Sequence, residues 1–172
     1  PEEFGGQNGS NLAMARIREY LASKGLGLHN DLQNETSIVG NLMTPMMLRD
    51  FGTADQQSRW MEPLLQGELG WCFGLTEAAH GSDATWMETR AEPSTRDGVD
   101  GWLISGEKMW NTGLHVANYD MIFARTSGDD GAARGISCFL VPTDAPGFKI
   151  EEYLWTFNMP TDHPRISLSD VW

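Results

Sequence analysis

The chain has 172 residues, of which 40% are hydrophobic, enough for one sizeable packed domain or two small ones. Its formal net charge of −12, from 12 basic and 24 acidic residues, argues against electrostatic binding to nucleic acid or to an anionic membrane. No apolar run approaches the length that a membrane-spanning helix needs. Cys72 and Cys138 lie in apolar runs without ligand spacing, so we expect reduced core thiols rather than a disulfide or a metal site.

Helical patterns dominate the first part of the chain. From Asn11 the apolar residues fall near one helical face, and Gly25 is the predicted stop. A second helical stretch covers 31–49, in which Pro45 predicts a break or a kink. Three methionines of this stretch could line a flexible ligand groove, although packing in a core is the commoner use: Met43, Met46 and Met47.

A third helix is predicted from the capping-box spacing of Thr53 and Gln56. It should run through Gln66 and end at Gly67, the residue type that most often follows a helix C-terminus. Its apolar residues are expected to be buried, namely Trp60, Met61, Leu64 and Leu65. Helical periodicity then ends, and we predict a domain boundary that separates residues 1–70 from residues 71–172.

Short strand-like runs, separated by turns, follow this boundary. The candidate strands begin with an apolar run at Trp71 and continue at 85–91, 102–108, 119–125, 136–141, 148–152 and 165–172. Residues 96–101 are predicted to form a hairpin loop, and 127–134 a polar loop. The pattern predicts an α+β fold in which an N-terminal α-helical segment precedes an antiparallel β-barrel or sandwich.

Two stretches of the second region carry residues suited to binding a ligand. Residues 71–83 begin as an apolar strand and end in a loop, where Gly81 permits close backbone approach and Ser82 suits a phosphate or pyrophosphate. Residues 106–113 place the indole of Trp110 near the hydroxyl of Thr112. An indole can cover a flat ring, and a hydroxyl can bond a ring heteroatom, so the two stretches indicate a flat cofactor with a phosphate tail.

Four pieces of sequence, in matching order and spacing, closely resemble the acyl-CoA dehydrogenase family. The resemblance covers nearly the whole chain. Its four pieces are Phe-Gly-Leu-Thr-Glu and Gly-Ser-Asp within 73–83, Gly-Glu-Lys-Met-Trp and Thr within 106–112, Arg-Gly-Ile-Ser-Cys-Phe-Leu-Val-Pro at 134–142, and Pro-Gly-Phe at 146–148. The opening of the chain also resembles the entry into the family's N-terminal helical domain. An unrelated β domain with a Gly-Ser-Asp loop is the alternative, and the register of four pieces disfavours it.

The resemblance implies that the second region holds FAD. Thr76 would bond the flavin ring, with backbone contacts from Leu75, while Trp110 would pack against the isoalloxazine and Thr112 would reach its reactive edge. Gly81 and Ser82 would lie at the pyrophosphate, and Ser82 would also meet the acyl-CoA. The full set of cofactor-binding residues that the resemblance implies is Phe73, Leu75, Thr76, Gly81, Ser82, Trp110, Asn111 and Thr112.

The chain also departs from the family's usual pattern. His80 stands where a small residue is usual; it could contact the pyrophosphate, although a solvent-facing or structurally bonded side chain is the commoner outcome. Asn111 and Gly113 differ from the usual second motif, and residues 158–163 differ from the usual Gly-Met-Arg pattern. Contacts to the flavin ring are therefore less firmly implied in the second motif than in the first.

The activity that the resemblance implies is oxidation of an acyl-CoA to the 2,3-enoyl-CoA, as in fatty acid β-oxidation. In the family a Glu removes the α proton while hydride leaves for flavin N5, and that Glu belongs to a C-terminal helical domain. Glu77 adjoins Thr76 but is not the family's base, so no catalytic residue is assigned. The chain starts at Pro1 and stops at Trp172 within a strand pattern, so a longer native protein is expected.

The expected partners are the acyl-CoA substrate, an electron-transfer flavoprotein as electron acceptor, and further copies of the full-length protein in a homo-oligomer. Two alternatives remain open at this stage. An oxidase of the same superfamily would pass electrons to O2, and a truncated, non-catalytic module would only bind flavin or CoA. Neither a metal nor a nucleic acid is expected as a ligand.

Overall fold

The computed structural model describes residues 1–25, 43–156 and 159–172. The chain divides into two compact units, Pro1–Leu69 and Gly70–Trp172. Helices make up the regular structure described in the first unit, and a mixed β-sheet makes up most of the second. The predicted α+β class is confirmed.

The first unit contains, within its described residues, helices α1 (Asn11–Ser23), α2 (Met43–Phe51) and α3 (Ala54–Gln66), after a short 3-10 turn at Glu2–Phe4. Helix α1 begins where the hydroxyl of Ser10 accepts a hydrogen bond from the Ala13 N–H at 3.1 Å. It ends close to the predicted stop at Gly25. Three of its large apolar side chains are exposed, namely Leu12, Ile17 and Tyr20, whereas Met14 and Leu21 are half-buried.

The second predicted helix is described only in part. Residues 26–42 lie outside the described residues, and helix α2 covers the rest. Pro45 lies in the first turn of α2, where the N–H that proline lacks has no helical partner, so it is compatible with a helix start. Met46 and Met47 are half-buried, which fits core packing.

Helix α3 follows its local signals closely. The Thr53 hydroxyl accepts from the Gln56 N–H at 3.2 Å, and the Gln56 side chain accepts from the Thr53 N–H at 2.8 Å, which completes the predicted capping box. The helix ends at Gly67, whose φ of 74° is the left-handed conformation that glycine adopts at little cost. Of its apolar residues Leu64 is buried, but Leu65 is 39% exposed, contrary to expectation.

The described residues of the second unit form a seven-stranded sheet. Its strands are β1 (Trp71–Gly74), β2 (Arg90–Arg96), β3 (Val99–Met109), β4 (Tyr119–Arg125), β5 (Ile136–Pro142), β6 (Phe148–Thr156) and β7 (Met159–Val171). The strand order is β1-β4-β2-β3-β7-β6, with β5 paired to β4. The sheet is mixed rather than wholly antiparallel, because β1 and β2 each pair in parallel with β4 after long connections.

The first hairpin differs from its predicted position. The candidate strand at 85–91 is mostly turn and loop, and β2 begins only at Arg90. The hairpin turn has two residues, Asp97 and Gly98, with φ of 53° and 78°. Positive φ at both positions matches the turn type whose twist suits a β-hairpin, and Asp-Gly is one of its preferred sequences. The sequence of β2 is mostly polar and contains Pro93, so no apolar pattern predicted a strand at this position.

The core of the second unit is built from alternating strand residues, with Ile122, Ala124 and Ile166 fully buried. Cys72 belongs to this core, as expected, whereas Cys138 is exposed. The expectation for Cys138 is therefore wrong: its apolar neighbours in β5 do not place its side chain on the inner face. Within the described ranges no helix is long and apolar enough to span a bilayer, and no cluster of potential metal ligands occurs.

Candidate functional site

Hydrogen bonds hold the two motifs side by side. The chain leaves β1 at Gly74, and the carbonyl of Thr76 then accepts a hydrogen bond from the N–H of Met109, at the end of β3, at 2.9 Å. The Lys108 ammonium donates to the carbonyl of Leu75 at 3.2 Å. Residues more than 30 positions apart in sequence therefore form one continuous surface, with Thr76 next to the segment that carries Trp110.

A buried ion pair stabilises the junction between the two motifs. The Lys108 ammonium lies 2.8 Å from the Glu77 carboxylate, which also accepts from the N–H groups of Glu88 at 2.7 Å and Thr89 at 2.9 Å. Burial alone would raise the pKa of Glu77, but the hydrogen bonds from Lys108, Thr89 and Glu88 outweigh it and lower that pKa below its ordinary value. Glu77 is thus an ionised structural anchor.

Trp110 has an unusual backbone conformation. Its φ of 68° is rare for a bulky residue and costs on the order of 1–3 kcal/mol, which the surrounding structure has to offset. The Trp110 N–H donates to the carbonyl of Pro164 at 2.9 Å, and the Trp110 carbonyl accepts from the Thr112 N–H at 2.9 Å. The indole remains 40% exposed, so it offers a surface that a flat ring could cover.

The hydroxyl of Thr112 lies beside a histidine from β7. Thr112 Oγ1 is 2.9 Å from His163 Nδ1 and 3.5 Å from the carbonyl of Trp110. The imidazole packs against the indole of Trp110, with ring centroids 6.1 Å apart and planes inclined by 66°. Asp162 Oδ1 lies 3.5 Å from the same Nδ1 atom. Threonine, histidine and tryptophan therefore form one polar and aromatic group at the end of β3.

The side chain of Asn111 points into the core, in contrast to the exposed side chain of Trp110. Its side chain is fully buried, and its amide donates to the carboxylate of Asp120 in β4. Burial raises the pKa of Asp120 to about 6, although bonds from Asn111 and Cys72 oppose the shift. Gly74 packs directly over this pair, because a Cβ there would come within 2.8 Å of the Asn111 amide and 2.9 Å of Asp120 Oδ1.

The remaining predicted residues lie in β1 or in the segment that follows it. Phe73 is half-buried and packs against Phe123 with ring centroids 4.9 Å apart, and Leu75 and Thr76 are also half-buried. Gly81 and Ser82 are exposed, and a Cβ added at Gly81 would meet no atom within 4 Å. Seven of the eight predicted cofactor residues thus have accessible surface; the fully buried Asn111 side chain has none.

The loop after Ser82 is held by a turn and by a stacked pair. Asp83 Oδ1 accepts from the Thr85 hydroxyl at 2.6 Å and from the N–H groups of Thr85 at 3.1 Å and Trp86 at 3.3 Å. The hydrogen bond from the Thr85 side chain leads the effects that lower the pKa of Asp83. His80 packs on Trp86 with ring centroids 5.3 Å apart, which favours a structural role over contact with a pyrophosphate.

Arg125 joins this loop to the polar loop between β4 and β5. Its guanidinium is buried and donates to the carbonyl of Thr85 at 2.5 Å. It also donates to the carbonyls of Ser127 at 3.3 Å, Ala132 at 3.1 Å and Arg134 at 3.2 Å. One side chain therefore satisfies backbone acceptors from both loops and fixes their separation.

Several of these residues carried no functional signal in the sequence. Asp120 and Arg125 lie in an apolar strand pattern, where a charged residue usually marks an exposed face. Lys108 belonged to a recognised motif, but its buried partner could not be identified. His163 was noted only as part of a departure from the family pattern. The position of Asp120 and Arg125 inside an apolar run was the one sequence feature that indicated a buried polar contact.

Comparison with known proteins follows the same two-unit division. Residues 1–68 match the N-terminal domain of acyl-CoA dehydrogenases, and residues 72–171 match their middle domain. Acyl-CoA dehydrogenase FadE12 of Mycobacterium tuberculosis is 29% identical over 99% of this chain and 42% of its own length. The chain therefore spans less than half the length of this relative.

Two solved structures agree with this match. The crystal structure of the ChsE4-ChsE5 complex from Mycobacterium tuberculosis aligns over 99% of this chain and 41% of that chain, with a TM-score of 0.73 and 28% identity. A glutaryl-CoA dehydrogenase from Mycobacterium smegmatis in complex with FADH2 aligns over 74% of this chain and 31% of that chain, with a TM-score of 0.61 and 34% identity. On these matches the chain belongs to the acyl-CoA dehydrogenase family, of which it carries the N-terminal and middle domains.

Proposed function

We propose that this chain supplies the flavin-binding wall, and part of the acyl-CoA site, of an FAD-dependent dehydrogenase that oxidises acyl-CoA to 2,3-enoyl-CoA. The observation that carries the proposal is the direct hydrogen bonding of the two motifs, from Met109 to Thr76 and from Lys108 to Leu75. These bonds place the half-buried Thr76 next to the segment that carries the 40% exposed Trp110. The exposed Gly81 and Ser82 follow Thr76 in the same loop segment. The relative with bound FADH2 supports the same cofactor.

The donor set fits the chemistry of FAD. The indole of Trp110 has area for a flat ring, and the hydroxyls of Thr76 and Thr112 can bond ring heteroatoms. Exposed N–H groups and the hydroxyl near Gly81 and Ser82 suit a pyrophosphate, and Ser82 would also contact acyl-CoA. When bound, the flavin supplies the electron acceptor for the substrate's hydride. The buried Asn111 would act indirectly, by fixing the backbone between Trp110 and Thr112.

No residue of this chain is proposed as the catalytic base. Glu77 would be the nearest carboxylate to Thr76 in sequence, but Lys108 and two backbone N–H groups already occupy its oxygens. Its lowered pKa makes it a poor acceptor for a substrate proton. We propose that the base belongs to the part of the protein that this chain does not include.

We propose electron-transfer flavoprotein as the acceptor, because the relatives compared above are named dehydrogenases. Oxygen consumption during turnover of the full-length protein would identify the oxidase alternative instead. The neighbour that is a complex of two named proteins supports an assembly of several subunits for the full-length protein. Sedimentation analysis of the full-length protein would measure that assembly directly.

Visible absorption tests the cofactor assignment. The purified chain and the full-length protein are each incubated with FAD, and unbound FAD is removed. We expect a retained flavin spectrum and about ten-fold weaker binding on Trp110→Ala, because loss of a stacked indole costs about 1 kcal/mol or more. Trp155→Ala, which removes a 69% exposed indole outside both motifs, is the matched control.

The outcomes separate the possibilities. Retention by both proteins, with loss specific to Trp110→Ala, supports the proposal. Retention by the full-length protein alone would show that the site needs residues outside this chain. A folded full-length protein that retains no flavin, or one for which both tryptophan variants bind equally well, would overturn the proposal.

A further inference from the structure

The hydroxyl of Thr112 lies between two groups that compete for its single proton. His163 Nδ1 is 2.9 Å away and can donate or accept, depending on its tautomer. The carbonyl of Trp110, at 3.5 Å, can only accept and is at the limit of hydrogen-bond distance. The state of His163 therefore decides whether the Thr112 proton points toward the histidine or away from it.

We infer that His163 is a positioning residue that carries a proton on Nδ1 and donates it to the hydroxyl of Thr112. With that bond made, the proton of Thr112 is available for an acceptor atom on a bound cofactor. If Nδ1 accepted instead, the proton of Thr112 would be directed into the protein. This inference rests on the proposed function, in which Thr112 faces the flavin ring.

The charge around His163 favours a proton on Nδ1. The carboxylate of Asp162 lies 3.5 Å from that nitrogen, where its negative charge is attracted to an N–H dipole. The carboxylate also disfavours a lone pair on Nδ1 that faces its negative charge. Among the contacts that the described residues make with this ring, the others are the hydroxyl of Thr112 and the edge of Trp110, and neither carries a charge.

The backbone around His163 is fixed to the second motif, as a positioning role requires. The Trp110 N–H donates to the carbonyl of Pro164 at 2.9 Å, and the Gly113 N–H donates to the carbonyl of Asp162 at 3.3 Å. The His163 N–H in turn donates to the hydroxyl of Thr161 at 3.3 Å. These bonds hold the imidazole against both Trp110 and Thr112, so one ring orients the indole and the hydroxyl together.

Nitrogen-15 NMR of the chain without cofactor tests the tautomer directly. In a spectrum recorded at pH 8, we expect His163 to carry its proton on Nδ1, and the exposed His115 provides a reference signal from the same chain. His163→Leu assigns the signal. A His163 ring protonated only on Nε2 would overturn the inference, whether or not the chain binds flavin.

Flavin affinity of the full-length protein separates positioning from packing. His163→Leu removes the donor, and we expect FAD to bind about five- to ten-fold more weakly. His163→Asn keeps a donor nitrogen at the same number of bonds from the backbone, and we expect it to recover affinity to within about two-fold. His115→Leu is the matched control. Equal losses in the leucine and asparagine variants would mark a packing role and overturn the inference.

A third variant links the effect to Thr112. Thr112→Val removes the hydroxyl through which His163 is proposed to act, so adding His163→Leu to it should cause no further loss of affinity. Losses that add fully would overturn the inference. Failure of the wild-type protein to bind any FAD would refute the proposed function, and the NMR measurement would still decide the protonation of His163.

Discussion

Two buried polar pairs lie beside the proposed flavin surface, and they differ in how completely they are hydrogen bonded. Both carboxylate oxygens of Glu77 have donors, which include Lys108 and two backbone N–H groups. In the other pair, Asn111 donates to Asp120, but Asn111 Oδ1 and Asp120 Oδ1 have no hydrogen-bond partner among the described residues. The first pair is an ion pair whose carboxylate oxygens both have donors. The second is a hydrogen-bonded pair in which one oxygen of each side chain has no donor among the described residues.

The difference teaches what each pair can contribute. A buried ion pair with complete hydrogen bonding fixes geometry, because separating its charges in a low-dielectric region is costly. A half-bonded carboxylate instead favours its neutral form, as the raised pKa of Asp120 indicates. We therefore expect the Glu77 pair to hold the two motifs together at neutral and mildly acidic pH, because the pKa of Glu77 is lowered. Burial also lowers the pKa of Lys108, which limits the pair toward alkaline pH. The Asp120 pair, by contrast, is expected to make stability depend on pH.

Breaking the ion pair should have the largest effect. Lys108→Met leaves the Glu77 carboxylate buried without its counter-charge, and we expect a loss of about 3–5 kcal/mol in the free energy of unfolding. Urea denaturation measures it. Adding Glu77→Gln to Lys108→Met removes the uncompensated charge and should recover part of the loss. A change below about 1 kcal/mol in the single variant would contradict the comparison.

The Asp120 pair predicts that the free energy of unfolding decreases as the pH rises. A salt-bridged carboxylate, whose pKa is lowered, would have the opposite effect. The folded pKa of Asp120, about 6, lies above its ordinary value of 3.8, so between these pH values the folded state binds more protons than the unfolded state. The stability that this group contributes is full only well below pH 4 and is lost as the pH rises through 6. The expected loss is about 3 kcal/mol.

Asp120→Asn isolates this contribution from the other carboxylates. Asparagine does not titrate, so the difference in unfolding free energy between wild type and variant should change by about 2 kcal/mol between pH 4 and pH 7. Urea titrations at several pH values give this difference. A constant difference over the range would show that Asp120 keeps an ordinary pKa in the folded protein.

Filling the space above the Asp120 pair should have a smaller effect. In Gly74→Ala the new Cβ would lie 2.7 Å from Ile122 Cδ1 and 2.8 Å from the Asn111 amide, so the site is overpacked. We expect a loss of about 1–3 kcal/mol in unfolding free energy, measured by urea denaturation. Gly81→Ala is the matched control, because no atom lies within 4 Å of its Cβ. Equal effects of the two substitutions would contradict the packing described for Gly74.

Local signals predicted the parts of the fold that local interactions determine. The start and end of α3 followed from Thr53, Gln56 and Gly67, and the bounds of β4 matched its apolar run. Strand β2 was misplaced because its pairing with β3 arises from the Asp97–Gly98 turn rather than from its own polar residues. The parallel pairing of β1 with β4 joins segments nearly 50 residues apart and leaves no periodic trace in the sequence.

For the candidate site, the sequence indicated which residue types could bind a flavin but not how they are supported. Resemblance to a family proposed roles for Thr76, Trp110 and Thr112, and their binding roles remain predictions. The buried direction of Asn111 depends on the carboxylate of Asp120, which belongs to strand β4. The contact between Thr112 and His163 joins residues 51 positions apart, so only three-dimensional coordinates could identify it.

The buried Arg125 limits how the polar loop between β4 and β5 can vary in length. Most of that loop is exposed, and exposed loop tips ordinarily accept insertions well. Here three of its carbonyls, from Ser127, Ala132 and Arg134, must stay within reach of one guanidinium that also holds Thr85. A peptide tag or a fused domain would therefore be tolerated better at the exposed Asp97–Gly98 turn than in this loop.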